Sequence, residues 1–192
     1  MIVRALQLVF DPSSWQARRV LVRATADGEP EDRTIDATSR ELSLPFADDT
    51  FSALECGDVL RYLPEPLAFM QELHRVSAPG ATASFVLPDA GSDEAYSPIF
   101  ATRPYTPVSF IYFGQPAYHR ADYGYRGYWE TVEAIYVVAR ERYAGGSIAA
   151  VKEALARERN QSLCFLMTLR AVKPIRSSGT PLEPIDPKIA TT

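Results

Sequence analysis

The segment from Thr50 to Asp89, TFSALECGDVLRYLPEPLAFMQELHRVSAPGATASFVLPD, changes hydrophobic period twice and so restricts the fold more than any other stretch of the chain. TFSALECG is a short apolar run closed by glycine, the pattern of a buried strand. Leu67, Met70, Leu73 and Val76 then recur at helical spacing, Pro66 suits a first helical turn, and SAPG stops the helix with Pro79-Gly80. ATASFVLPD follows as a second buried strand. Strand, helix and strand with short connections is the grammar of a parallel pair joined by a crossover helix.

The flanks extend this pattern. ALQLVF and RRVLVRA are β-rich runs around the turn Asp11-Pro12-Ser13-Ser14, and DRTIDAT is a shorter run, so three or four strands are expected before residue 58. Beyond Tyr96 the texture changes. YSPIFATRPYTPVSFIYFGQPAYHRADYGYRGYW, residues 96–129, mixes aromatics with proline and glycine and predicts a loop-rich region with one short helix at TPVSFIYF, capped by Thr106 and opened by Pro107. WETVEAIYVVARERY reads as a strand, SIAAVKEALARERN as an amphipathic helix capped by Ser147, and SLCFLMTLRAV as a closing strand. Residues 175–192 are Pro/Ser/Thr-rich with little to bury, and are expected to be a flexible tail behind a single domain of residues 1–174.

The bulk properties exclude several function classes. With 192 residues, 46% hydrophobic and 23% charged, the chain has the balance of one globular domain. A net charge of −4 with scattered basic residues gives no footprint for nucleic acid. No apolar run approaches the ~18 to 20 residues of a membrane span, and MIVRALQLVF lacks a signal-peptide pattern, so a cytoplasmic protein is expected. Cys56 and Cys164 lie far apart inside apolar runs and read as reduced structural thiols. Two histidines and two cysteines at unrelated spacings make no metal site.

Between Leu42 and Asp89 a family pattern stands out. Leu44-Pro45-Phe46 and the pair Asp48-Asp49 precede one strand, Val59-Leu60 opens the next helical stretch, and Glu72-Leu73-His74-Arg75-Val76 with Pro79-Gly80 precedes another strand. In order and spacing this resembles the class I S-adenosylmethionine-dependent methyltransferases, in particular small bacterial ones found near glycan or secondary-metabolite genes. The resemblance runs from about residue 4 to 174, with TRPYTPVSFIYF similar to the segment over the acceptor site and CFLMTLRAVKP similar to the last strand. It implies an α/β, Rossmann-like sheet, mostly parallel with an antiparallel terminal strand and helices on both faces. Activity has to be argued from the site.

The resemblance also assigns cofactor positions. LQLVFDPSS falls where a glycine-rich turn lets backbone N–H groups approach the methionine end of S-adenosylmethionine, yet Asp11, Pro12, Ser13 and Ser14 stand there. VLVRA falls where an acidic residue accepts both ribose hydroxyls, and Arg23 can only donate. Asp36 holds the place of the acid bordering the adenine. Losing charge-assisted hydrogen bonds worth about 1.5 to 3 kcal/mol each, with a steric clash added, weakens such a cofactor by powers of ten. Asp11 and Arg23 also read as a turn cap and a solvated strand residue. An anion nest at Ser13, Ser14 and Arg23 is the sharper alternative.

Other candidates come from the residues themselves. His119, in YHRADYGYRGYW, has Arg120, Asp122 and tyrosines around it and suits a general base, or else a polar surface or dimer contact. Glu55 and Asp58 lie just past a strand, at the carboxyl edge where such sheets bind ligands, and are candidate catalytic acids; Asp58 equally suits a helix cap. Tyr105, Tyr112, Tyr123 and Tyr125 suit an acceptor pocket, although aromatic clusters also build interfaces and loop cores. His74 reads as a structural residue of the helix.

Three functions fit these residues. The first is a methyltransferase-like protein with a degenerate donor site and no methyl donor, a pseudoenzyme for methyl transfer that acts on another small molecule or partners an active paralogue. The second is an active methyltransferase using S-adenosylmethionine on a small-molecule or glycan acceptor. The third is a structural homodimer module built on residues 96–129. Neither nucleic acid nor membrane is an expected partner.

Overall fold

A computed structural model describes residues 19–26, 29–36, 43–114, 117, 120–175 and 184–192. Among the described residues seven strands form one sheet: β1 (Arg19–Ala26), β2 (Glu29–Asp36), β3 (Phe51–Glu55), β4 (Ser77–Leu87), β5 (Trp129–Val138), β6 (Cys164–Ala171) and β7 (Lys188–Thr191). Their spatial order is β2-β1-β3-β4-β6-β5-β7. The pairings β3 with β4 and β5 with β7 are parallel, and the other four are antiparallel. Followed across the sheet, β2, β3, β4, β5 and β7 run one way, and β1 and β6 run against them. The sheet is therefore a mixed α/β sheet of Rossmann-like kind, with the β3–β4 parallel pair at its centre.

The crossover between those two strands is helix α1 (Pro66–Val76), which begins on Pro66 as its sequence requires. Phe69, Met70, Leu73 and Val76 are fully buried on its sheet-facing side. Burying side chains of that size contributes about 1.5 to 3 kcal/mol each. The helix stops three residues earlier than the Pro79-Gly80 signal suggests, because Ser77 already pairs with Phe51 and its hydroxyl donates to the Leu73 carbonyl at 2.6 Å. Pro79 and Gly80 instead form an irregularity within the β3–β4 ladder, where the register jumps from Phe51↔Ser77 to Ala53↔Thr82. Gly80 adopts φ +81°, a conformation costly for any residue with a Cβ.

Two further helices follow β5: a single turn, α2 (Arg140–Tyr143), and α3 (Ile148–Arg157). The sequence read ARERY as a continuation of β5, but the strand ends at Val138. Ser147 caps α3 as expected, its hydroxyl accepting from the Ala150 N–H at 3.2 Å. The Thr106–Phe113 stretch is helical but wound as a 3-10 helix over Pro107–Phe113, and Ser109 Oγ accepts from the Thr106 N–H at 3.1 Å. Phe110 of this helix meets Phe85 and Phe165 of the sheet at ring distances of 5.5 and 6.2 Å, tying the aromatic region to the main core. Within the stretch read as a tail, Lys188–Thr191 forms β7, parallel to Ile135–Val138. Cys56 and Cys164 are free, buried thiols. No helix among the described residues is long and apolar enough to cross a membrane.

Candidate functional site at the carboxyl edge

In a sheet of this kind the loops that leave the carboxyl ends of adjacent parallel strands line the ligand crevice. Here those loops are Cys56-Gly57-Asp58, after β3, and Pro88-Asp89, after β4. Cys56 N–H donates to the Ser84 carbonyl at 2.8 Å, and Val86 N–H donates to the Gly57 carbonyl at 2.9 Å, so the first loop leaves in register with β4. Gly57 has φ +52°, turning the chain into a 3-10 turn at Val59–Arg61.

That turn carries a buried ion pair. Asp58 makes no side-chain cap; its Oδ2 accepts from Arg61 Nη1 at 3.2 Å and from the Tyr62 hydroxyl at 3.1 Å. Arg61 is only 2% exposed, and its Nη2 donates to the Glu94 carbonyl at 2.7 Å. Burial pushes the Asp58 carboxyl above its usual range, against the pull of Arg61 and Tyr62. Tyr62 is raised by the same burial and by the Asp58 charge.

The second loop centres on Asp89, also buried. Its Oδ1 accepts from the Tyr136 hydroxyl at 3.2 Å and its Oδ2 from the Gly91 N–H at 2.9 Å, and desolvation raises its pKa. A Cβ on Gly91 would lie 2.7 Å from Oδ2, so a larger residue there would displace the Asp89 carboxylate. Between the loops lies Tyr105, whose backbone bridges Asp89 and whose hydroxyl donates to the Leu60 carbonyl at 3.2 Å. Desolvation pushes the Tyr105 phenol up to about 12.

Residues 89–103 run as a strap over this edge. Glu94 holds Arg61, and Thr102 donates from N–H and hydroxyl to the Arg61 carbonyl at 2.6 and 2.8 Å. Asp93 is tied to the loop before β6: Asp93 N–H donates to Asn160 Oδ1 at 2.7 Å, Asn160 Nδ2 donates to Asp93 Oδ2 at 2.9 Å, and Arg159 pairs with Asp93 Oδ1 at 2.7 Å.

The residues singled out from sequence are distributed as follows. Asp58 and Tyr105 meet at this edge, on either side of Leu60. Glu55 ends β3, half-buried, opposite Ser84 on one side and Arg23 on the other. Arg23 is the fifth residue of β1 rather than its last, and Asp36 ends β2 opposite Arg19. Tyr125 is buried against Phe113, with ring centroids 6.1 Å apart. Tyr112 is exposed and its ring stands edge-on to Tyr123, whose hydroxyl donates to the Tyr112 carbonyl at 2.5 Å. His119, Asp11 and Ser13 lie outside the described residues. Asp122, read as a partner for His119, is held down to about 2 by Arg126.

Sequence reasoning passed over Arg61 and Asp89. The signal for the first was a cation at i+3 from Asp58 inside the apolar run VLRYL; for the second, an Asp two residues before Gly at the end of a buried strand.

The opposite edge of β3 holds the motif residues. Arg75 donates to Glu72 Oε1 and Oε2 at 2.9 Å each, to Asp48 Oδ1 at 2.7 Å, and to the carbonyls of Phe46 and Leu44 at 2.9 and 3.0 Å. Lys173 pairs with Asp49 at 2.5 Å. The Leu-Pro-Phe, acidic-pair and Glu-Leu-x-Arg motifs therefore meet in one clamp between the entry to β3 and α1.

A family model described as "Methyltransferase domain" matches residues 9–85. The match ends within β4 and takes in less than half of the chain. No curated protein matches it. Among solved structures, a putative methyltransferase from Haloferax volcanii, solved with its methyltransferase activator, is 16% identical with a TM-score of 0.42, covering 68% of this chain and 58% of that one. The cyclase SpnF is 20% identical with a TM-score of 0.43, covering 72% and 54%. A possible histamine N-methyltransferase from Thermotoga maritima is 12% identical with a TM-score of 0.38, covering 68% and 59%. The chain thus spans under two thirds of the length of each of these three structures.

Proposed function

We propose that this methyltransferase-like protein does not use S-adenosylmethionine as a methyl donor and works instead on another small molecule, bound at the carboxyl edge between the β3 and β4 loops. One observation carries the reading: the strand beside β3 runs antiparallel to it. A donor turn of the family's kind leaves the carboxyl end of a strand parallel to β3, so that its backbone N–H groups reach the same crevice as the β3 loop. With Arg23 opposite Glu55, Arg19 lies toward the carboxyl edge and the outgoing end of β1, Ala26, lies at the other edge. The residues at the donor positions agree with this: Arg23 offers no acceptor for ribose hydroxyls, and Pro12 offers no N–H. The antiparallel course of β1 and the chemistry of Arg23 and Pro12 both speak against the methyl donor as the ligand of this edge.

Titration calorimetry with S-adenosylmethionine tests the reading. No heat of binding is expected at millimolar ligand, and a micromolar dissociation constant overturns it. A second reading, active methyl transfer to a small-molecule or glycan acceptor with His119 or Asp58 as base, is favoured by the family match that begins at Val9 and spans the donor segment. It requires methyl incorporation from labelled donor that His119→Ala abolishes.

A further inference from the structure

Two arginines of this protein, Arg75 and Arg170, present one edge of the guanidinium, Nε together with Nη2, to a carboxylate. Arg75 closes that fork on the two oxygens of Glu72 at 2.9 Å each, and Arg170 closes it on Glu130 Oε2 at 3.1 and 2.6 Å. Arg61 is different. Its Nη2 meets a single backbone carbonyl, that of Glu94, and its Nε is buried with no acceptor among the described residues. A buried donor left without a partner is costly, and native structures seldom keep one without a use. The remaining nitrogen, Nη1, is engaged by Asp58 on the other flank at 3.2 Å, so the open fork faces the strap that carries Glu94.

We propose that Arg61 anchors a binding site for a small aromatic carboxylate, whose two oxygens take Nε and Nη2 once the strap lifts the Glu94 carbonyl away. The inference rests on the small-molecule reading above for the location of the ligand and adds its chemical class. Planar, two-oxygen recognition is what the arginine fork is shaped for, and a buried fork gives it more weight than the exposed forks of Arg75 and Arg170 have. The Tyr62 ring lies 5.6 Å from the Arg61 guanidinium and supplies aromatic surface for the ligand's body. Asp58 is the neighbouring anion. Arg61 Nη1 and the Tyr62 hydroxyl already engage its Oδ2, which lowers the repulsion an incoming carboxylate meets. The strap is anchored at both ends, by Ser92 on the Asp89 carbonyl and by Thr102 on the Arg61 carbonyl, while around Asp93 it is held by exposed contacts and by Arg159 over the Tyr96 ring at 5.8 Å, so the Glu94 segment between the anchors is the part that can lift.

The test follows the Arg61 Nε–Hε resonance of the full chain, labelled with nitrogen-15, during titration with benzoate, benzamide and inorganic phosphate. Benzoate is expected to shift that resonance saturably, with an apparent dissociation constant of about 1 mM or tighter. Benzamide, which brings one acceptor and no charge, is expected to leave it unmoved. Asp93→Ala, a surface change that loosens the strap, is expected to tighten benzoate roughly fivefold by raising the fraction of open molecules. An Arg61 signal that stays fixed in both wild type and Asp93→Ala overturns the proposal, as does an equal response to benzamide. Saturation by phosphate in place of benzoate overturns the ligand class. A parallel titration with S-adenosylmethionine separates the two claims, since micromolar binding that leaves Arg61 unmoved sinks only the donor-free reading.

Discussion

Two arginines stand at opposite edges of β3, and their surroundings differ in kind. Arg75, at the edge where the chain enters the strand, is about a third exposed and has every direction of its guanidinium filled by Glu72, Asp48 and two carbonyls. Arg61, at the carboxyl edge, is buried and holds one carboxylate, one carbonyl and an unfilled Nε. The first arrangement is closed and serves the scaffold. The second is incomplete at the place where the fold class binds ligands. The contrast teaches that the motifs which make the family legible are assembled away from the crevice, so their presence says that the chain folds this way and leaves the chemistry open.

The sharpest way to break this contrast is to unbalance each arginine. Asp58→Ala leaves the buried Arg61 cation uncompensated and is expected to destabilise the protein by about 3 to 5 kcal/mol in denaturant unfolding. Replacing Asp58 and Arg61 together by Leu and Met is expected to recover most of that loss; if it recovers none, the pair does more than neutralise itself. Arg75→Ala removes five donated hydrogen bonds, but into partly solvated surroundings, and is expected to cost about 2 to 3 kcal/mol. Arg75→Lys should rescue little, because a point charge cannot fill a fork.

Acid unfolding sharpens the same comparison by sign. The hydrogen bond from Arg75 holds the Glu72 carboxyl below its ordinary 4.5, so its stabilisation is present above that pH and lost as pH falls through the lower folded value. Asp58 is raised above its ordinary 3.8, so the penalty of its burial is relieved as pH falls through its folded value toward 3.8. Glu72→Gln is therefore expected to flatten the acid loss of stability and Asp58→Asn to steepen it; equal slopes would show that the two edges are electrostatically alike. His74 gives a smaller effect at milder pH. It is buried on α1, donates from Nε2 to the Val172 carbonyl at 3.2 Å, and stands edge-on to Trp129 at 5.6 Å. Burial, and then the Lys173 charge, lowers its pKa below the ordinary 6.5. Stability carried by the neutral ring is full above that value and declines as pH drops below it, a decline His74→Gln should remove. The smallest change is expected from Asp49→Asn, which keeps a residue suited to its φ of +58° and removes only the charge of a half-exposed pair with Lys173 worth under about 1 kcal/mol.

The same contrast explains what was legible in the sequence. The crossover α1 could be read because Leu73 and Val76 recur at helical spacing and Pro66 marks the start. β3, β4 and β6 could be read because each is a short apolar run with a clear stop. β7 could not: KIAT sits among prolines and threonines, and only the exposed edge of β5 gives it a partner. The end of β5 was misread because ARERY carries neither glycine nor proline to mark the change from strand to helix. At the crevice, Asp58 was legible as an acid past a strand end. Its bond to Arg61 was not, since a cation within VLRYL reads as a solvated side chain until packing removes the water. The antiparallel course of β1 also has no local signal, because RRVLVRA is equally a strand in either direction.

The sheet order has one more consequence. Among the described residues its outermost strands are β2 and β7, and β2 reads EPEDRTID, with four acids, one arginine and a proline. A margin so charged, with a residue that cannot donate to a ladder, repels its own image when two copies approach strand to strand. Strand-to-strand pairing of two copies through β2 is thereby disfavoured, which makes that margin a poor template for an extended β-assembly.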